Sequence, residues 1–309
     1  MKGIVYKSTG SWYDVKTAEG EVWKARIKGK FRIDDEISST NPIAVGDRVT
    51  CMEEDAEKRI AMIEKIDTRK NYIVRVSPHN KNQKHIIASN LDQAMLIATV
   101  NNPRTSNGFI DRFLVTAEAY HVPAILVFNK IDAVKPKDQA ILDHLYELYT
   151  GIGYKVLKIS AIDATTLDEL KSILHNKTTL ISGHSGVGKS TLINQLIPGM
   201  ELKTNEISNW SGKGQHTTTF AEMMDMDEQS VLIDTPGMKE FGLIDFEKQE
   251  LSHFFPEMKE RLKNCKFNNC IHMHEPGCAV AEAVVNGAIT EERFHSYLNI
   301  MESIEEKYK

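Results

Sequence analysis

The sequence of 309 residues contains only four cysteines, which excludes a disulfide framework as its main source of stability. No apolar run approaches the roughly 18 residues that a membrane-spanning helix needs. The formal net charge is −5, which excludes a uniformly basic nucleic-acid binder and confines any RNA-binding surface to a local patch. The chain also lacks a signal-peptide pattern. We therefore expect a cytoplasmic protein whose hydrophobic residues, 41% of the total, form two or three cores.

A glycine-rich stretch in the second half of the chain has the complete pattern of a phosphate-binding loop. It follows an apolar, strand-like run at 179–182 and leads into a helical pattern. Backbone N–H groups of such a loop surround nucleotide phosphates, while its lysine contacts the outer phosphates and its serine hydroxyl ligates Mg²⁺. A glycine-rich turn without a ligand is the alternative. The predicted nucleotide-binding residues are Gly183, His184, Ser185, Gly186, Val187, Gly188, Lys189, Ser190 and Thr191.

A second motif predicts that the base is guanine. Asn129, Lys130, Ile131 and Asp132 follow a buried-strand pattern at 124–128. The carboxylate of Asp132 can accept hydrogen bonds from both N1–H and the 2-amino group of guanine, a pair of donors that adenine lacks. Ser160 and Ala161 follow the strand pattern at 154–159, and their backbone fits a contact to guanine O6. GTP is therefore favoured over ATP.

A third motif supplies groups for the metal ion and the terminal phosphate. Asp234 closes the apolar run 230–233 and can bind Mg²⁺, while the backbone N–H of Gly237 can donate to the γ-phosphate. Three consecutive threonines precede this motif, and we expect Thr218 to contact Mg²⁺ and the γ-phosphate. An edge strand is the alternative reading of the threonines.

The order of these motifs is unusual, because the guanine-reading residues precede the phosphate loop. In this order, in the segment 213–219 and in a Cys/His cluster near the end, the chain resembles the circularly permuted ribosome-assembly GTPases of the RsgA (YjeQ) family. The resemblance implies that His216 positions the water for hydrolysis. A histidine that is only hydrogen-bonded in a loop is the alternative. Met238 stands where many GTPases have a glutamine, so we expect slow intrinsic turnover.

The N-terminal segment 1–68 shows period-two patterning at 3–7, 12–17, 22–27, 47–53 and 60–66, which predicts a small β-barrel of the oligonucleotide-binding (OB) type. Trp12, Tyr13, Trp23 and Phe31 are either base-stacking platforms or barrel core. The charge of this segment is nearly balanced, so its role in RNA binding is implied mainly by the family resemblance.

Two segments follow the predicted barrel. Residues 69–90 are basic and contain asparagines and a proline, so we predict a linker at the start of the GTPase domain, either solvated or in contact with phosphate. Residues 91–240 alternate between strand and helix patterns, which predicts a doubly wound α/β sheet with its ligand at the carboxyl ends of the strands.

The last segment, 241–309, has a helical pattern and contains a cluster of cysteines and histidines that can ligate a metal ion. Cys265, Cys270, His272 and Cys278 offer three thiolates and one imidazole, the donor set of a structural zinc ion. His274 is the competing nitrogen ligand. The spacing agrees with the Cys-x4-Cys-x-His-x5-Cys pattern of the family that the chain resembles.

Together these patterns predict a GTP hydrolase, with GTP or GDP, Mg²⁺ and one structural Zn²⁺ as its cofactors. The resemblance implies that it binds the small ribosomal subunit and its rRNA in the GTP state during late maturation, and leaves after hydrolysis stimulated by the subunit. We expect a monomer that binds neither DNA nor membrane. A nucleotide-gated RNA-binding scaffold and a metabolic kinase are the alternatives.

Overall fold

The computed structural model of the protein describes residues 1–27, 42–76, 84–202, 221–235 and 246–305. Three modules follow one another along the chain: a β-barrel, an α/β sheet and a mostly helical C-terminal module. This architecture is the predicted one, while the exact domain bounds remain predictions. Within the described ranges, every helix is too short or too polar to cross a bilayer.

The first five strands form a closed barrel. They are paired in the order β1-β2-β3-β5-β4, and β4 pairs back with β1 to close the ring. Along β2 the side chains of Tyr13, Val15 and Thr17 are buried, while those of Asp14 and Lys16 are half-buried. Such alternation is what a strand shows when one of its faces lines a core. The strands are β1 (Lys2–Ser8), β2 (Tyr13–Thr17), β3 (Val22–Ile27), β4 (Arg48–Asp55) and β5 (Ile60–Ile66).

The aromatic residues of the barrel divide between its core and its surface. Tyr13 and Trp23 are 0% and 7% exposed and belong to the barrel core, which decides between the two readings for these residues. Trp12 is 41% exposed, and the guanidinium carbon of Arg26 lies 6.0 Å from the centre of its ring. Phe31 lies outside the described residues. Trp12 therefore remains a candidate platform.

The predicted linker at 69–90 contains a β-hairpin instead of a loop. Strands β6 (Tyr72–Val76) and β7 (Lys84–Ser89) pair in antiparallel register. The sequence prediction failed here because charged and amide residues obscured two short apolar runs whose residues are buried. Nor is Arg69 available to bind phosphate, because it donates to both carboxylate oxygens of the fully buried Asp47 at 2.7 Å.

The central module is a six-stranded sheet in the order β10-β9-β8-β11-β13-β12. The first five strands are parallel, and β12 runs antiparallel at the side next to the barrel. β12 was not predicted, because its sequence EMMD has no β-branched or aromatic residue and includes two acidic residues, which are uncommon in strands. The strands are β8 (Gln93–Ala98), β9 (Ala124–Phe128), β10 (Lys155–Lys158), β11 (Thr178–Gly183), β12 (Glu222–Asp225) and β13 (Val231–Asp234).

Helices cover both faces of this sheet, as predicted. The apolar residues of α1 and α2 belong to one core, and those of α3 and α4 to another. The neighbouring strands β8 and β11 are followed by α1 and α4, which pack on opposite faces. This change of side opens a crevice at the carboxyl ends of the strands, where ligands bind in open α/β sheets. The helices are α1 (Asn107–Ala119), α2 (Gln139–Ile152), α3 (Asp168–Leu174) and α4 (Lys189–Leu196).

The C-terminal module contains α5 (Pro256–Lys259), α6 (Ala279–Val285) and α7 (Glu291–Glu305). Its apolar residues share one core with Val115 and Ala119 of α1, so the module packs directly on the central domain. The fully buried Arg293 also joins the two modules. Its guanidinium donates to Asp111 of α1 at 2.5 Å and to both carboxylate oxygens of Glu257 at 2.7 and 3.3 Å.

Candidate nucleotide-binding site and metal centre

The phosphate-binding loop lies between the end of β11 and the start of α4, in the predicted strand–loop–helix arrangement. Two of its glycines are required by close contacts. A Cβ on Gly183 would lie 2.6 Å from the carbonyl oxygen of Ile97, and one on Gly188 would collide with the side-chain amide of Asn129. Gly188 also has a φ of +92°, which side chains rarely adopt. The chain therefore passes closely between its neighbours, as a loop that wraps an anion must.

Asn129 links the phosphate loop to the guanine-reading loops. Its side-chain nitrogen donates to the carbonyl of Val187 at 2.8 Å, and its side-chain oxygen accepts from the N–H of Ala161 at 2.9 Å. The residue is 1% exposed, so both hydrogen bonds are shielded from water. The amide thereby sets the spacing between the loop that holds phosphates and the backbone predicted to contact guanine O6.

Lys130 and Asp132 extend this arrangement toward the base. Lys130 adopts a left-handed backbone conformation, and its ammonium donates to the carbonyls of Gly186 at 2.6 Å and Asn102 at 2.8 Å. The hydroxyl of Ser160 donates to the carboxylate of Asp132 at 2.5 Å, which orients that exposed carboxylate. A cleft of about 380 Å³ adjoins Asp132 and Ser160. The sequence pattern did not reveal the part played by the loop at Asn102.

Lys189 and Asp234 meet at the carboxyl ends of neighbouring strands. The Lys189 ammonium lies 2.8 Å from the Asp234 carboxylate and donates to the carbonyl of Thr235 at 2.6 Å. The hydroxyl of Thr235 in turn donates to the carbonyl of Ile181 on β11 at 2.8 Å. The structure thus brings a cation for phosphate and a carboxylate for Mg²⁺ together, with Ser190 in the first turn of α4. This donor set fits a magnesium nucleotide.

His184 has a structural part in the loop. Its ring lies against that of Phe109 in α1, with the ring centres 3.8 Å apart. Burial lowers the pKa of His184, which favours the neutral imidazole. Phe109 thus supports the phosphate loop from the first turn of α1, a contact that the sequence did not reveal.

Three predicted site residues cannot be placed. His216, Thr218 and Gly237 lie outside the described residues, so their roles in water activation, metal binding and phosphate binding remain predictions.

The metal centre brings together the four predicted ligands. The ligand atoms of Cys265, Cys270, His272 and Cys278 all lie within 4.8 Å of one another. Nδ1 of His272 is 3.2 Å from the sulfur of Cys278 and 3.7 Å from that of Cys265. Burial lowers the pKa of His272, so the imidazole is neutral and can offer a lone pair. The competing residue His274 is exposed and is not part of the cluster.

The loop around the cluster is held by Glu275. Its carboxylate accepts hydrogen bonds from the backbone N–H groups of Ile271 at 2.7 Å, Met273 at 2.9 Å and His274 at 3.1 Å. The hydroxyl of Tyr297 in α7 donates to the carbonyl of Ile271 at 2.7 Å. Three thiols and one imidazole make a closed tetrahedral donor set, which fits a structural zinc ion.

Comparison with known families agrees with this geometry. A sequence model of the RsgA GTPase matches residues 66–244, and one of the RsgA N-terminal domain matches residues 2–60. A curated relative from Bacteroides thetaiotaomicron, named small ribosomal subunit biogenesis GTPase RsgA 2, is 54% identical over 100% of this chain and 99% of its own length. A relative from Christiangramia forsetii, named small ribosomal subunit biogenesis GTPase RsgA, is 51% identical over 100% of this chain and 98% of its own length.

Solved structures show the same likeness. The crystal structure of YjeQ from Thermotoga maritima is 34% identical, with a TM-score of 0.77 over 98% of this chain and 97% of that one. The structure of YloQ, described as a circularly permuted GTPase, is 28% identical, with a TM-score of 0.74 over 99% of this chain and 95% of that one.

Proposed function

The chain belongs to the RsgA GTPase family, and on that premise we propose that it hydrolyses GTP during the late maturation of the small ribosomal subunit. It docks on the particle and its rRNA in the GTP state and leaves after a hydrolysis step that the particle stimulates. The names of the curated relatives support the small subunit as the partner. The proposed role in subunit maturation implies a cytoplasmic location.

The observation that carries the nucleotide part of this proposal is the bridge made by Asn129. One buried amide connects the phosphate loop at Val187 with the base-reading loop at Ala161. A phosphate loop alone would serve many nucleotides, and a base-reading loop alone would hold none. Their connection through one side chain supports a site in which Asp132 selects guanine while residues 183–190 bind the phosphates.

Hydrolysis uses groups on three segments. Ser190, Asp234 and Thr218 are the residues that would hold Mg²⁺, which would neutralise charge on the phosphates. Lys189 exchanges its contacts with Asp234 and Thr235 for phosphate oxygens, and the N–H of Gly237 donates to the γ-phosphate. His216 orients the attacking water, because Met238 offers no group that holds water. Turnover by the free protein is then slow and rises when a partner orders this histidine.

The zinc ion has a structural role in this proposal. Its four ligands leave no open position for a substrate, and two of the three cysteines, with His272, are buried. The ion would hold the loop 265–278 against α7, and we propose that this loop and the exposed Trp12 of the barrel contact rRNA.

GTP turnover by the purified protein tests the proposal, measured alone, with small subunits and with large subunits at two salt concentrations. We expect a rise of about one to several decades with small subunits only, weaker at high salt because phosphate contacts are screened. Equal stimulation by both subunits, or none, contradicts the proposed partner. Tight particle binding that ignores the nucleotide would instead identify an RNA-binding scaffold, and transfer of the γ-phosphate to a small molecule would identify a kinase.

A further inference from the structure

The barrel and the central sheet are joined by one row of directly paired residues, here called the rung, which includes the predicted magnesium ligand Asp234. Lys7 of β1 lies opposite Glu222 of β12. Glu222 in turn lies opposite Asp234 of β13, and Asp234 lies opposite Ile181 of β11. A single rung therefore runs from the barrel to the strand that carries the phosphate loop.

The rung carries one cation followed by two carboxylates, and a second cation contacts the inner carboxylate. Directly opposite residues of antiparallel strands point to the same face, so the carboxylates of Glu222 and Asp234 are neighbours and repel each other. The Lys7 ammonium lies 3.1 Å from the Glu222 carboxylate, and the Lys189 ammonium lies 2.8 Å from the Asp234 carboxylate. The barrel thus supplies the cation that compensates the outer of these two acids.

The barrel also holds the other end of β12. Asp225 accepts a hydrogen bond from the hydroxyl of Tyr6 at 2.7 Å and from the ammonium of Lys16 at 2.6 Å. The Lys16 ammonium lies 5.1 Å from the centre of the Tyr6 ring, so the three side chains form one cluster. Burial and the neighbouring Asp225 raise the pKa of Tyr6, which keeps its hydroxyl a donor.

These contacts matter because β12 is only four residues long. It pairs with β13 on one side and with β1 on the other, so the barrel provides one of the two borders of the strand. Glu222 comes four positions after Thr218, the threonine that we expect to contact Mg²⁺ and the γ-phosphate.

We propose that Tyr6, Lys7 and Lys16 of the barrel are positioning residues for GTP hydrolysis, which act through β12 on Asp234. When a particle docks on the barrel, the position of β1 changes. The paired residues Lys7, Glu222 and Asp234 transmit that change to the predicted metal ligand. This inference rests on the proposed function, because it names the path by which the partner stimulates the same site.

The test replaces Lys7 and Lys16 by methionine, which removes each charge but keeps an unbranched side chain. Lys24→Met is the matched control, because the Lys24 ammonium lies 2.5 Å from Asp14 in an exposed ion pair entirely within the barrel. We expect Lys7→Met/Lys16→Met to lower the subunit-stimulated kcat about tenfold, with KM for GTP and particle affinity unchanged. Lys24→Met keeps full stimulation, and Lys7→Arg/Lys16→Arg restores most of it. Equal stimulation of the double methionine variant and the control overturns the inference.

A second measurement needs no ribosomal particle. Amide hydrogen exchange of residues 2–8 and 221–225 is compared between the GDP complex and the complex with a non-hydrolysable GTP analogue. In the wild type we expect the exchange rates of both segments to differ between the two nucleotide complexes. In the double methionine variant we expect only the rate of 221–225 to differ. Equal exchange rates of residues 2–8 in the two nucleotide complexes of the wild type would refute the coupling. A wild type that no particle stimulates would instead refute the proposed function, while the exchange result still decides this inference.

Discussion

Arg293→Met tests whether the buried ion cluster fastens the C-terminal module to the central domain. The substitution removes a guanidinium that is 1% exposed and contacts Asp111, also 1% exposed, and Glu257, 10% exposed. Two carboxylates then remain in the interface without a cation. Breaking a buried pair by removing one partner costs about 3–5 kcal/mol, because the remaining charge cannot regain its hydration.

Amide hydrogen exchange in α7 measures this loss locally, which avoids treating a three-module protein as a two-state system. A loss of about 3 kcal/mol corresponds to exchange that is faster by roughly a hundredfold or more in the variant. Arg26→Met is the matched control, because Arg26 makes the same two-point contact with Glu54, at 3.1 Å for each hydrogen bond, but on the surface. We expect no measurable change of exchange in the barrel of this control, because exposed pairs contribute little.

A compensating variant separates charge from packing. Arg293→Met combined with Asp111→Asn and Glu257→Gln removes all three charges, so it should recover part of the lost protection in α7. Exchange in α7 of Arg293→Met within about threefold of the wild type would show that the cluster does not fasten the modules.

The remaining predictions concern the two sites. Asn129→Ala should weaken GDP binding about tenfold to a hundredfold, because two buried backbone groups lose their partner. Asn71→Ala, which removes the same double contact from Leu91, should leave GDP affinity unchanged, and calorimetric titration compares the two. Asp132→Asn should weaken GDP and strengthen binding of xanthosine diphosphate, whose 2-oxo group accepts from an amide; unchanged base preference would contradict the role of Asp132. Metal analysis should find one zinc per chain, and Cys270→Ser should lose it together with protection of 265–278, while GDP affinity stays the same.

Circular permutation leaves the site intact because the site depends on which strands are neighbours. Strands β8, β9 and β10 precede β11 in the chain, yet β8 lies directly beside β11 in the sheet. The side chain of Asn129 reaches Val187, 58 positions later in the sequence. Reordering the segments changes their connections, while the crevice at the carboxyl ends of the strands is preserved.

Local sequence patterns were enough to predict the site motifs. The phosphate loop, the guanine-reading residues at 129–132 and the four clustered metal ligands could be predicted because each function needs particular residue types at a short, defined spacing. Period-two and alternating strand–helix patterns likewise predicted the barrel and the central sheet. Each of these patterns lies within a short segment, so it can be recognised in a single sequence.

The contacts between distant segments could be learned only from the folded protein. The tertiary structure placed Tyr13 and Trp23 in the barrel core, formed a hairpin from the expected linker, and paired Lys7 with Glu222 and Arg293 with Asp111. Aromatic and charged side chains serve equally well on a surface or in a buried contact, and the difference lies in what packs against them. Those neighbours are up to about two hundred positions away in the sequence. A local sequence pattern therefore does not predict them.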